Sequence, residues 1–179
     1  MSDSAAIDAA EPAHVRPAWA PLTLVAFVGL VIMTNVASGL WARWVDTNPE
    51  GLLVLSSRNR YLALTLAAGV PVSTYVVIAF LRVGAAFVVC HMIGRAYHAA
   101  AIGWFRKYLG VTPETIGPFN RGVARAAWVL IPFFAGSNIV AALSGVHRTP
   151  PVRLAVLLSI GIAGRLALMW WLARRFEAQ

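Results

Sequence analysis

The sequence predicts an all-α integral membrane protein with about three full transmembrane helices and two re-entrant or broken helical hairpins. Of 179 residues, 59% are hydrophobic and 12% charged, with a mean hydropathy of +0.71. A soluble domain carries about a quarter charged residues, so this chain cannot cover itself with polar surface. Three apolar runs are long enough to cross ~30 Å of hydrocarbon. Two other apolar stretches are broken by proline or polar residues into arms of about half the length a crossing needs.

Residues 1 to 20 are small, acidic and punctuated by proline (Asp3, Asp8, Glu11, Pro12, Pro17) and read as a disordered tail. They lack the basic region that precedes a signal-peptide core. A single membrane domain is expected over 21–176. Its first span, Leu22 to Val45, ends on Trp41 and Trp44, aromatic anchors suited to the interface. Asn48-Pro49-Glu50 has the chemistry of a helix start: a capping amide, a proline at the first position and an acid in the first turn. The apolar stretch from Gly51 to Leu55 is too short to cross. Ser56, Ser57, Arg58, Asn59 and Arg60 separate it from a second arm, Tyr61 to Val70. Two readings fit: a shallow hairpin, or a polar loop leading into an ordinary helix.

Pro71 opens the second span, Val72 to Ile93, with Arg82 near its middle. Tyr97, Ala101, Trp104 and Tyr108 then recur at helical spacing, with Arg106 and Lys107 off that stripe, the pattern of an amphipathic helix lying in the interface. Gly110 would end it and Thr112-Pro113-Glu114 begin the next helix. From Ala124 to Gly145 the chain is apolar enough to enter a bilayer, yet Pro132 stands in its middle, followed by Gly136, Ser137 and Asn138. Proline removes a backbone donor and clashes with the preceding turn. The stretch is therefore a hairpin that dips in and returns, or a kinked crossing helix. Broken backbone at membrane depth must be buried in protein or line a wet cavity. The last span, Pro151 to Ala173, is closed by Arg174 and Arg175.

The net charge of +8 does not form one patch, because basic residues flank and interrupt the apolar runs. The expected partners are membrane lipids with anionic head groups, not nucleic acid. With three spans and two returning hairpins, Arg16, Arg95, Arg106, Lys107, Arg121, Arg125, Arg148 and Arg153 fall on one side, eight in all. Arg43, Arg58, Arg60, Arg174 and Arg175 fall on the other, five in all. The amino terminus is therefore expected in the cytoplasm and the carboxyl terminus outside. Lys107 is the single lysine, and that bias, with abundant alanine and valine, points to a GC-rich bacterial genome and a bacterial inner membrane.

Enzyme signatures are missing: there is no P-loop, HExxH or dinucleotide glycine motif. The lone Cys90 excludes an internal disulfide. Ser137 with His147 as a protease pair, or His91 with His98 as haem or metal ligands, rest on too few groups to make a site. No catalytic residue, cofactor or metal is expected. Beyond the tail the carboxylates are Asp46, Glu50, Glu114 and Glu177, which gives little support to a relay of buried acids.

Arg82 and Arg165 carry the candidate site. Each lies deep in an apolar span with no carboxylate within a turn, where a central arginine costs about 2.5–3.5 kcal/mol. Guanidinium stays protonated and offers a planar fork suited to phosphate. Gly161, one turn before Arg165, and Ala85 and Ala86, one turn after Arg82, leave room for close approach. Both arginines are expected to meet a lipid phosphate between the hairpins, with Glu50 or Asn138 completing the site. In the alternative they bond the free carbonyls of broken helices and hold the fold together. Pro49, Pro132, Gly136 and Gly145 are the expected structural residues of the hairpins.

A proline-led short hairpin after the first span, a basic amphipathic linker, a proline-broken hairpin ending in Ser144-Gly145 and a final span together resemble the DedA (VTT-domain) family over residues 22–175. Asn48-Pro49-Glu50-Gly51 is similar to the family's first hairpin, with its proline and acid, and Gly94-Arg95-Ala96-Tyr97 to its GRxxG-type segment. Pro132, Gly145 and Gly161 match the second-hairpin proline, its closing small residue and a glycine of the following helix. Val129 and Ala135 stand where the family has arginines, and Ser38 near where it has an earlier membrane acid, so the resemblance is to a divergent member. It implies translocation of a lipid carrier or phospholipid and a role in envelope homeostasis. The expected function is thus a transporter or scramblase-like protein for an anionic lipid or lipid carrier. A non-transporting scaffold of the same fold comes second, and an intramembrane enzyme a distant third. A homo-oligomer is compatible with each.

Overall fold

The computed structural model describes residues 17–109 and 126–177, and for 99–109 and 176–177 the backbone alone. The described chain is all-helical: α1 (Ala20–Thr47), α2 (Pro49–Leu55), α3 (Asn59–Ala67), α4 (Val72–Leu109), α5 (126–133), α6 (Asn138–Val146) and α7 (Pro151–Glu177). Among the described residues, three stretches are long and apolar enough to cross a membrane: Ala20–Thr47, Val72–His98 and Pro151–Arg175. They match the three expected spans, each somewhat longer than the apolar run alone. Most of the expected tail, and the helix start at Thr112, lie outside the described residues.

Local chemistry explains the breaks between elements. The Asn48 backbone N–H closes α1 on Trp44 O at 2.8 Å, while its side chain accepts from Gly51 N at 3.0 Å and caps α2, with Pro49 at the first position. A Cβ on Gly51 would run into the Asn48 and Trp44 side chains, so glycine here lets α2 fold back along α1. Ser56 adopts an extended conformation and ends α2, and Arg58 precedes α3 in the same region. Gly69 has φ +77 and, with Pro71, separates α3 from α4. The long helix α4 is broken at His98 (φ 44, ψ −119), which divides its spanning part from the segment over 99–109. The expected interfacial helix is thus helical and set off by a backbone break, with most of its aromatic stripe among side chains that are not described.

Both candidate hairpins reverse the chain. Leu52 of α2 packs in a cluster with Ala37 and Tyr61, so α2 returns along α1 before α3 leads to the start of α4. In the second pair, Pro132 lies against Gly161, and Gly136 against Arg165 one turn further along α7. The end of α5 therefore runs in the direction of α7. The chain turns over residues 134–137, and α6 then runs from Gly136, beside Val83, to Gly145, beside His91 and Arg95. Four residues later α7 begins. With nine residues, α6 is roughly 13 Å long, less than half a bilayer crossing.

The core lies where α4, α6 and α7 meet around Phe87, Ile131, Val140, Leu143 and Ile162. Outward positions are also large and apolar, including Val25 and Ile32 of α1, Leu81 of α4 and Ile160 of α7. Such a surface suits hydrocarbon. Close helix approach depends on three glycines. A Cβ on Gly94 would strike Ala142 O, one on Gly145 would strike His91 O, and one on Gly161 would strike Pro132.

Overpacking of this kind costs about 1–3 kcal/mol or more. Gly94→Ala and Gly145→Ala are therefore expected to lower the thermal unfolding midpoint in detergent by several degrees. Gly39→Ala, where nothing lies within 4 Å, should leave it unchanged or raise it slightly. Equal midpoints for all three variants would contradict this packing.

Candidate functional site

The two hairpin turns meet at the middle of the spans, and an arginine answers each. A helix leaves its last four carbonyls without intrahelical partners. At the end of α2, Arg82 Nε donates to Val54 O at 3.0 Å and Nη2 to Leu55 O at 3.0 Å. The same Nη2 reaches α1, at 3.3 Å from both Leu30 O and Thr34 Oγ1. At the end of α5, Arg165 Nη1 donates to Ala135 O at 3.0 Å. Its Nη2 reaches the first hairpin, donating to Ser57 O at 3.4 Å and to Asn59 Oδ1. Each arginine thus sits on the span that follows a hairpin and closes that hairpin's first arm. The separations are alike, 28 residues from Arg82 to Val54 and 30 from Arg165 to Ala135.

The second arm of each hairpin begins at the same place. Neither Arg58, before α3, nor Ser137, before α6, caps its helix through a side-chain hydrogen bond. The positive ends of two half-helices therefore face the region between the turns. Gly136 is required there twice over: its φ is +100, and a Cβ would strike the Arg165 guanidinium.

Between these elements lies an open cavity of about 510 Å³. Leu30, Thr34 and Asn35 of α1 line one side and Ser56 to Asn59 the first turn. Arg82 and Cys90 come from α4, Gly136 and Asn138 from the second turn, and Arg165 from α7. Among the described residues, three arginines line it and no carboxylate does. Arg82 is 8% exposed, and Arg165 is half-buried. Among the described residues, Arg82 Nη1 and Arg165 Nε have no hydrogen-bond partner.

Of the expected site residues, Arg82, Arg165 and Asn138 come together and Glu50 does not. Glu50 is exposed in the first turn of α2, at the end away from the cavity, where a helix start favours an acid. Pro132 lies just before the second turn, and Gly145 marks the far end of α6. Ser137 and His147 stand at opposite ends of α6, out of hydrogen-bond reach of each other. His91 instead pairs with Ser144, Nδ1 to Oγ at 2.8 Å. Because Ser144 donates its hydrogen to Ala141 O, the histidine nitrogen is the donor in that pair. Asn35, Ser57, Arg58 and Asn59 escaped the sequence reading as site residues. Their signal was available: polar residues at Thr34-Asn35 inside an apolar span, and the polar run that interrupts the first hairpin.

Comparison with models of known families, with curated proteins and with solved structures finds no match.

Removing the Arg82 guanidinium takes its donors from three carbonyls and a hydroxyl. Hydrogen bonds to a charged group contribute about 1.5–3 kcal/mol each. Arg82→Met is expected to lower unfolding stability in detergent by at least that much, and Arg82→Lys by less. Unchanged stability in the Met variant would show that the cluster does not hold the first hairpin.

Proposed function

We propose that this protein is a multi-pass transporter or scramblase-like protein of the bacterial inner membrane, with a divergent DedA-like fold, which moves an anionic lipid or lipid carrier. The two turns belong to re-entrant hairpins entering from opposite faces. The observation that carries this reading is the meeting of two arginines and two uncapped helix starts on a cavity that no described carboxylate lines. Half-helix starts aimed at an anionic group recur in membrane transporters, and a charge retained inside a membrane marks a site. The phosphate takes the unused guanidinium donors, while Phe27, Leu30 and Val31 offer an apolar wall to a chain. The lipid enters past α1, whose Val31 and Asn35 are exposed at the cavity edge. No bond is made or broken in this process, so the protein is read as a non-enzyme.

The orientation gains support from the placement of Arg58 and Arg60. They belong to the hairpin turn, where Arg60 donates to Ser38 of α1, so they drop out of the loop count and leave Arg43, Arg174 and Arg175 on the outer side. The amino terminus is then cytoplasmic by a wider margin. Cysteines introduced at Asn48 and Gly69, in a Cys90→Ala background, should label from outside and one at His147 from the cytoplasm. Labelling of 69 and 147 from the same face would overturn the opposed hairpins.

One observation favours the second reading, a scaffold: most guanidinium donors already rest on backbone carbonyls. Reconstitution separates the two. Vesicles containing the protein and a trace of acyl-labelled phosphatidylglycerol are expected to lose more fluorescence to an external quencher than empty vesicles. Arg165→Gln should slow this by about tenfold or more, the loss of one charged hydrogen bond. Translocation at the parent rate by Arg82→Lys and Arg165→Gln would end the phosphate reading, and no translocation by the parent would leave the scaffold.

A further inference from the structure

Two amides in the cavity have no work within the protein. Asn35 lies near the middle of α1, beside the Thr34 hydroxyl that accepts from Arg82. Asn138 opens α6 and lines the same cavity. Neither side chain hydrogen-bonds any described residue. An amide at membrane depth is unfavourable unless something pairs with it, and these two line the same cavity as Arg82 and Arg165. An amide both donates and accepts, as does a hydroxyl. An ammonium only donates, and among the described residues the lining has three arginines and no carboxylate to balance its charge.

Resting on the lipid-translocation reading, we propose that the cavity selects a phosphodiester lipid whose head group ends in hydroxyls, such as phosphatidylglycerol. The guanidiniums of Arg82 and Arg165 take the phosphate, and the amides of Asn35 and Asn138 take the head-group hydroxyls. Phosphatidic acid satisfies the guanidiniums and leaves the amides bare. Phosphatidylethanolamine brings a positive charge to a cationic cavity, where repulsion is strong at low dielectric.

The test is a lipid series on the full chain in detergent, with binding of phosphatidylglycerol, phosphatidic acid and phosphatidylethanolamine measured by native mass spectrometry. Phosphatidylglycerol is expected to bind about three- to tenfold more tightly than either of the others, the range that one or two neutral hydrogen bonds supply. Asn35→Leu and Asn138→Leu should each bring the ratio of phosphatidylglycerol to phosphatidic acid towards one, and Asn35→Gln should recover part of it. Equal or tighter binding of either competitor, or an unchanged ratio in both Leu variants, overturns the proposal. Displacement by soluble glycerophosphoglycerol at concentrations equal to the lipid would mark a soluble ester as the ligand and overturn the lipid assignment. A protein that binds in the expected order but moves no lipid keeps this inference and ends the translocation reading. One that moves all three lipids at one rate, and binds them alike, does the reverse.

Discussion

The fold depends on how a broken helix disposes of its carbonyls. In water the ends of α2 and α5 would be solvated; in hydrocarbon each free carbonyl is a penalty of several kcal/mol. Arg82 and Arg165 supply fixed, multidentate donors at these points. The guanidiniums in turn require acceptors, since an arginine in an apolar span is itself unfavourable. Carbonyl and charge are each unacceptable alone at that depth and acceptable together. Everything else in the centre of the molecule follows from that pairing: the turns must reach mid-span, Gly136 must lack a side chain beside Arg165, and α6 must lie close on α4 to bring the second turn there.

This arrangement also leaves polar capacity over. Carbonyls accept from only some of the guanidinium nitrogens, and both second arms begin uncapped, although Asn59 Oδ1 of α3 accepts from Arg165. Holding the fold and holding an anion are therefore not competing roles for the same group. Within one side chain, Arg82 Nε and Nη2 face the first hairpin and α1, and Nη1 has no partner among the described residues. The planar fork of arginine makes such a division geometrically natural, where the compact ammonium of lysine would not.

The sequence was most legible where a single physical rule dominates. Three spans follow from length and apolarity, and the breaks at Asn48-Pro49, Gly69 to Pro71 and Gly136 follow from capping, proline and positive φ. That Arg82 and Arg165 face inward could be read from the absence of a local carboxylate. The depth of the first hairpin could not: its arm is too short by apolarity, because Ser56 to Arg60 have the composition of a surface loop. These residues are polar because they build the cavity, and that depends on tertiary contacts with distant helices, Ser38 at 22 residues and Arg165 at 106. Glu50 was misplaced for the converse reason. Its position at a helix start already accounts for it, and nothing brings that end of α2 inward.

The order of acceptors along the chain has a consequence for biosynthesis. Leu30, Thr34, Val54 and Leu55 all precede Arg82, and Ser57, Asn59 and Ala135 all precede Arg165. As the ribosome delivers the chain from its amino end, each arginine reaches the bilayer after every backbone group it will hold. Neither charge has to wait in lipid for a partner still to be made. The first hairpin and α4 can close as a unit before the second hairpin emerges, and α7 then arrives last to tie the two together.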